Sequence, residues 1–483
     1  MSIYLILTLL AVYFGLLLWM GHLTSGKGDS IAFFTGNKQS PWYLVAFGMI
    51  GTSLSGVTFI SVPGKVGVAQ FSYFQLVLGY FVGYMVVAGL LMPLYYRLNV
   101  ISIYSYLEQR LGFWSYKTGS VLFVISRTIG SSLRLFIAAD VLQTFLFNRL
   151  GVPFVITVAV TILLIWLYTF KGGIKTIVWT DSFQTFFLVT AVIVSVVVIG
   201  QQLQWTGVEI FKNVFKSNYS SIFFFDDPLA KNYFWKQFIS GMFITIVMTG
   251  LDQDLMQKNL TCKNIGEAQK NMYWFSVIMV AINFLFLTLG ALLFIYATTK
   301  GIVIPANSDQ LYPILALDHL GLVVGIFFLL GIIASSYASS DSALAALTTS
   351  FCIDFLHMDK KERKNPEKTR TLVHVGFSIL FFIIIICVHY FFRTQALIEM
   401  VLGAAAFTYG PLLGLFVFGI FTKIKVKDRL VPYVCVLPPV LTYFIQMNSV
   451  EWFWGYKFAF EHILINAGLT IIGLIIIQKK ESQ

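Results

Sequence analysis

Charge is scarce in this 483-residue chain: Asp, Glu, Lys and Arg together make up 11%, against 58% hydrophobic residues. With a mean hydropathy of +0.81, that excludes an ordinary soluble domain, where charged residues are about a quarter of the total. Cysteine is scarcer still. Cys262, Cys352, Cys387 and Cys435 are scattered without a CxxC pair, so neither a disulfide framework nor a thiolate metal site is called for. The histidines (His22, His319, His357, His374, His389 and His462) form no HExxH, and no phosphate-binding GKS/T loop occurs. Nor is there room for an appended catalytic domain, since the longest polar stretch runs only from 201 to 236; the chain reads as a non-enzyme. A channel is disfavoured too, because no TVGYG filter or ring of charge is present.

What is there in abundance is apolar sequence in lengths of about 20 residues, enough to cross a bilayer. Such segments occur at 2–22, 42–66, 72–97, 118–147, 152–170, 178–200, 237–258, 272–298, 321–350, 371–392, 397–421, 429–447 and 459–478. The expectation is one all-α, multi-pass membrane domain spanning 1–483 with about thirteen crossings. The first segment lacks a basic leader and a small-residue cleavage site and reads as a retained helix. Of the 33 Lys and Arg residues, an outside N-terminus puts 22 in cytoplasmic loops or the C-terminus (Lys258 and the 359–370 linker among them), 8 outside and 3 within segments. The positive-inside rule then gives N-out, C-in. The net charge of +11 is explained by these loops facing anionic lipid rather than nucleic acid.

Two segments are unusual. ASSYASSDSA, residues 334–343, puts serines and Asp341 in mid-membrane, where polar groups are costly and commonly functional. Ser335, Ser336, Ser339 and Ser342 share a helix face as a strip of oxygens suited to a hard cation; close packing of two helices is the plainer explanation. In VAFGMIGTSLSGVTFISVPGK, residues 45–65, Gly51, Thr52, Ser53, Ser55, Gly56 and Thr58 weaken the helix centre. A helix interrupted at the midplane frees carbonyls that can hold sodium; a kinked packing helix is the alternative.

These residues resemble the sodium:solute symporters, which include sodium-coupled sugar, proline and sialic acid carriers. The resemblance rests on GTSLSGVTFISVPGK (51–65), YTFKGGIKTIVWTDSFQ (168–184), LDQDLMQK (251–258), the Ser335 strip and YGPLLGLFVFGIFTK (409–423), in this order. It implies a LeuT-like fold with two inverted five-helix repeats, at 41–200 and 236–421, flanked by a helix at 2–22 and by C-terminal helices at 429–478. It implies sodium as coupling ion, no other cofactor, and a first sodium site formed by backbone oxygens of Gly51, Leu54 and Ile332 with the hydroxyls of Ser335 and Ser336. Asp181 matches the acid that serves a second sodium in some members, with Ser339 as companion, although Ala338 stands where such members carry a hydroxyl. Ser53, Ser55, Thr58 and Tyr73 fall at cavity positions, with Asp252 as an addition. Val57 and Val77 replace polar residues of sugar carriers.

The fourth segment carries Arg127 and Arg134, seven residues and two turns apart on one face. Sialic acid carriers place a carboxylate-binding arginine in this helix, although the nearest aligned positions here are Gly130 or Ser131. Arg134 lies about one turn away. An arginine fork can hold a carboxylate bidentately. Its rival role is to pair with a buried acid such as Asp341 or Asp140. The reading is a symporter of the inner or plasma membrane that imports a small organic solute, in its sharper form an anionic one such as a sialic acid or another carboxylate. The alternatives are a proton-coupled carrier of the same fold, relaying through Asp181 or Asp341, and a non-transporting sodium-responsive sensor.

Overall fold

The computed structural model of the protein describes residues 3–24, 30–145, 147–169, 173–359, 365–391 and 397–479. Residues 360–364 of the 359–370 linker and residues 170–172 of the 168–184 motif lie outside the described residues, as do the first residue of the 2–22 segment and Lys480. The described residues are helical throughout, apart from loops and two isolated bridges. The principal helices are α1 (Ile3–Thr24), α2 (Trp42–Ser53), α3 (Gly56–Ala69), α4 (Tyr73–Val86), α5 (Phe113–Phe145), α6 (Phe154–Thr169), α7 (Gly173–Gln202), α8 (Phe234–Thr245), α9 (Gln253–Asn259), α10 (Ile265–Thr299), α11 (Leu322–Ser350), α12 (Pro366–Phe391), α13 (Leu397–Phe421), α14 (Val431–Met447) and α15 (His462–Ile476).

Among the described residues, nine helical stretches are long and apolar enough to cross a membrane, or eleven if two bent pairs each count as one span; α6 and α15 are shorter apolar helices. Observed helices begin or end several residues from the apolar segments: α5 starts at Phe113 and α7 at Gly173, because the polar ends continue the backbone ladder beyond the apolar stretch. The bent pairs are α2 with α3, at 61°, and α8 with α9, at 68°. The second bend was not foreseen within the 237–258 segment. There a π-helical turn at Ile246–Gly250 ends the first half and Asp252 caps α9, its Oδ1 accepting from the Asp254 N–H at 2.9 Å. Widened turns of this kind are often found at functional sites.

Helix α11 is the centre of the molecule, buried without interruption from Phe328 to Ser350. Its serines therefore face protein, not lipid. It packs most extensively on α7, while α4 packs on α8 and α13 on α15. The α4–α8 contact is made by glycines: a Cβ on Gly79 would lie 2.0 Å from the Phe238 carbonyl oxygen, and one on Gly241 would lie 2.1 Å from that of Leu76. Backbone meets backbone there, the close approach that small residues permit between membrane helices. Helices α1 and α14 form the periphery, with Leu16, Trp19, Tyr433 and Val436 exposed.

Candidate functional site

The break between α2 and α3 has a local cause. Leu54 (φ −86°, ψ 75°) and Ser55 (ψ 171°) leave the helical region. The Leu54 N–H closes the last bond of α2 on Ile50 at 2.8 Å, and the ladder resumes only with Phe59 donating to Ser55 at 3.0 Å. The carbonyls of Gly51 to Leu54 thus lack the i+4 donors that a continuous helix would supply. Helix α11 faces this break. A Cβ on Gly56 would lie 2.2 Å from the Ser336 Oγ and 3.8 Å from that of Ser335. The Ser335 hydroxyl donates to the Ile332 carbonyl at 3.0 Å, whereas the buried Ser336 Oγ has no hydrogen-bond partner. Gly51 is held on α7 by its N–H donating to Thr185 Oγ1 at 2.9 Å. Freed carbonyls and two hydroxyls on adjoining helices make an oxygen-rich pocket of the kind a hard cation takes.

Asp181 and Ser339 do not form a second pocket of this kind. The Lys258 ammonium sits on Asp181 Oδ2 and Thr52 Oγ1, Thr52 donates to the same carboxylate oxygen at 3.0 Å, and Ser339 bonds back to the Ser336 carbonyl at 3.0 Å. Lys258 is 1% exposed and Asp181 fully buried. The reading of Lys258 as a cytoplasmic loop cation is corrected accordingly: it lies in the core because the bend at 251–252 carries α9 inward.

A small central cavity of about 90 Å³ opens beside the break. Ser53, Ser55, Thr58, Tyr73 and Arg134 line it together with Tyr80, Tyr84 and Asn283. The last three escaped the sequence reading. Tyr80 and Tyr84 recur seven and eleven residues after Tyr73, on one helix face, and Asn283 is a lone amide in an apolar helix; both signals were available. Val57, Ile244, Met248, Leu255 and Met279 supply apolar wall. The Ser53 Oγ and Asn283 Oδ1 have no partner.

Asp252 does not line the cavity. It caps α9, accepts from the Tyr409 hydroxyl and lies 3.7 Å from Arg127 Nη1. Arg127 also pairs with Asp254, whose other oxygen receives the Ser342 hydroxyl. The rest of LDQDLMQK is equally occupied. Gln253 bridges the Ile103 N–H and Ile101 carbonyl at 3.0 and 2.8 Å, and Gln257 donates to Phe34 and Thr349. Neither arginine pairs with Asp341, contrary to the expected partnership. Asp341 accepts from the Tyr168 hydroxyl of α6 at 2.8 Å and from the Ser342 N–H. Arg134 makes no ion pair among the described residues, and its Nε has no hydrogen-bond partner, although the side chain is 7% exposed. Both guanidinium groups line the cavity, but Arg127 is neutralised by two aspartates and Arg134 is not.

The sequence model of the "Sodium:solute symporter family" matches residues 33–427. The sodium/sialic acid symporter NanT of Aliivibrio fischeri is 25% identical over 450 residues, covering 86% of this chain and 82% of that protein. Sodium-coupled monocarboxylate transporter 1 of Mus musculus is 28% identical over 412 residues, covering 82% of this chain and 65% of its own length. Among solved structures, the substrate-bound outward-open state of a Na+-coupled sialic acid symporter superposes with a TM-score of 0.81 over 99% of both chains, at 20% identity. The two share the LeuT-like fold.

Proposed function

Because the chain belongs to the sodium:solute symporter family, we propose that it imports a small carboxylate with a short apolar body, driven by sodium and by alternating access. It is a multi-pass membrane protein of the inner or plasma membrane. Our assignment of topology is thirteen crossings, N-out and C-in, with inverted repeats at 41–200 and 236–421. Moving Lys258 from the loop tally to the core leaves the Lys and Arg bias on the same side. Sodium would be held by the carbonyls of Gly51, Leu54 and Ile332 and the hydroxyls of Ser335 and Ser336. The unpartnered Ser336 Oγ supports that set, since a buried hydroxyl without a partner is costly unless a ligand uses it.

The observation that carries the substrate class is Arg134: a buried guanidinium on the cavity wall with no acid of its own, beside an Arg127 held by two aspartates. The positive end of α3 opens on the same space through Ser55 and Thr58, which favours a negative group there. Val57, Ile244, Met248, Leu255 and Met279 suit the apolar body of a short monocarboxylate. The two relatives described above handle acids by name, which accords with this. A monoanion moving with one sodium is electroneutral, so a tenfold sodium gradient would concentrate it about tenfold. Purified protein in liposomes, offered pyruvate, lactate, a sialic acid and glucose with and without sodium, tests the reading. We expect sodium-dependent uptake of a short monocarboxylate that Arg134→Gln abolishes. Equal sodium-driven uptake of glucose by both proteins would overturn the carboxylate assignment.

A further inference from the structure

We propose that Lys258 is a tethered cation that fills a second sodium position, so that this carrier couples to one sodium, and that deleting its ammonium group opens the Asp181 carboxylate to another. The inference rests on the sodium-symport reading above. Three observations carry it. The Lys258 ammonium touches both Asp181 Oδ2 and Thr52 Oγ1, an acid and a hydroxyl of the sort that would ligate a hard monovalent ion. Asp181 Oδ1 is buried with no partner, so the carboxylate keeps ligating capacity that one ammonium does not use. Thr52 stands one residue after Gly51 in the last turn of α2, so the ammonium is joined through the chain to the break that would hold the first sodium.

An ammonium and a sodium ion carry the same charge, and a buried carboxylate that stays ionised is costly without a positive partner in any state of the transport cycle. A sodium ion supplies it only when bound, and its occupancy depends on concentration. A lysine supplies it always, and its free energy is therefore absent from the coupling. The carboxylate remains balanced while the number of driving ions falls by one.

The test uses full-length protein in detergent and in liposomes. Lys258→Met keeps the apolar stem and removes the charged atom. Wild type should bind one radioactive sodium ion per protein at saturation and give a Hill coefficient of one for sodium-driven uptake. Lys258→Met should bind two, with a coefficient approaching two and a melting temperature that rises more steeply with sodium than that of wild type, because sodium now neutralises Asp181. Adding Asp181→Asn should return the count to one. A folded Lys258→Met that still binds one ion with wild-type dependence overturns the proposal, as does wild type binding two. Should Lys258→Met fail to fold, the pair Asp181→Asn, Lys258→Met replaces it: two ions in wild type against one in the pair overturns the proposal, and one in each supports it. If wild type shows no sodium binding or sodium-driven uptake at all, the symport reading itself has failed.

Discussion

Gly56 and Ser336 approach so closely that a single methyl group on the glycine would sit 2.2 Å from the serine hydroxyl oxygen. The contact joins the start of α3 to the middle of α11 and fixes the width of the proposed sodium pocket. Gly56→Ala should therefore turn the Ser336 hydroxyl into another rotamer, away from the pocket, while the helices stay in place, since the Ser336 Cβ at 3.5 Å is in ordinary contact. Sodium-induced thermal stabilisation should disappear in folded Gly56→Ala protein. A variant with unchanged sodium response would mean that the ion binds elsewhere.

The hydroxyls themselves can be removed without the clash. Ser335→Ala combined with Ser336→Ala deletes the side-chain ligands and leaves the carbonyls. Half-saturation of uptake by sodium should shift at least tenfold upward, about 1.4 kcal/mol, while expression and the melting temperature in sodium-free buffer change little. Identical sodium titrations in liposomes would contradict the ligand set.

The two arginines of α5 should respond oppositely to the same substitution. Arg127→Gln leaves Asp252 and Asp254 short of their cation and should cost about 3–5 kcal/mol, recoverable in part by Asp254→Asn. Arg134→Gln strands no paired acid, so its melting temperature should stay near that of wild type while carboxylate uptake is lost. Comparing the two melting curves is sufficient. A large drop for Arg134→Gln and none for Arg127→Gln would reverse the assignment.

Asp252 lies in the network, which predicts a stability effect rather than a substrate effect. Asp252→Ala should lose about 1 kcal/mol for the helix cap and more for the Arg127 and Tyr409 contacts, whereas Asp252→Asn keeps the cap. Uptake by Asp252→Asn should show an unchanged apparent KM for solute. A raised KM at unchanged stability would restore Asp252 to the cavity.

The features readable from the sequence were those written locally. Glycines and hydroxyls at 51–58 mark a helix that cannot continue, and a serine run inside an apolar helix marks a segment shielded from lipid; the structure has an interruption at 54–55 and an α11 buried from Phe328 to Ser350. Pairing was not readable, because it depends on how distant helices meet. Lys258 and Asp254 stand four apart and could have paired on one helix, yet Lys258 meets Asp181, 77 residues away, and Asp254 meets Arg127 at a separation of 127. Asp341 found a tyrosine on α6 where an arginine had been expected. The bend at Leu251 was hidden because π-helical turns carry no composition signal and the Asp252 cap looked like an ordinary polar end.

The glycine contact between α4 and α8 has a mechanical consequence. With Gly79 and Gly241 each pressed against the other helix's backbone, the two helices have no side-chain layer through which to slide, and so form one stiff beam linking the two halves of the chain. A beam can tilt but not shear. A motion that exposes the cavity first to one side and then to the other would concentrate its bending where the backbone ladder is already open, at Leu54–Ser55 and Leu251–Asp252, so that one joint of the machine coincides with the place where its cargo and its ion would be held and the other with the aspartates that hold Arg127.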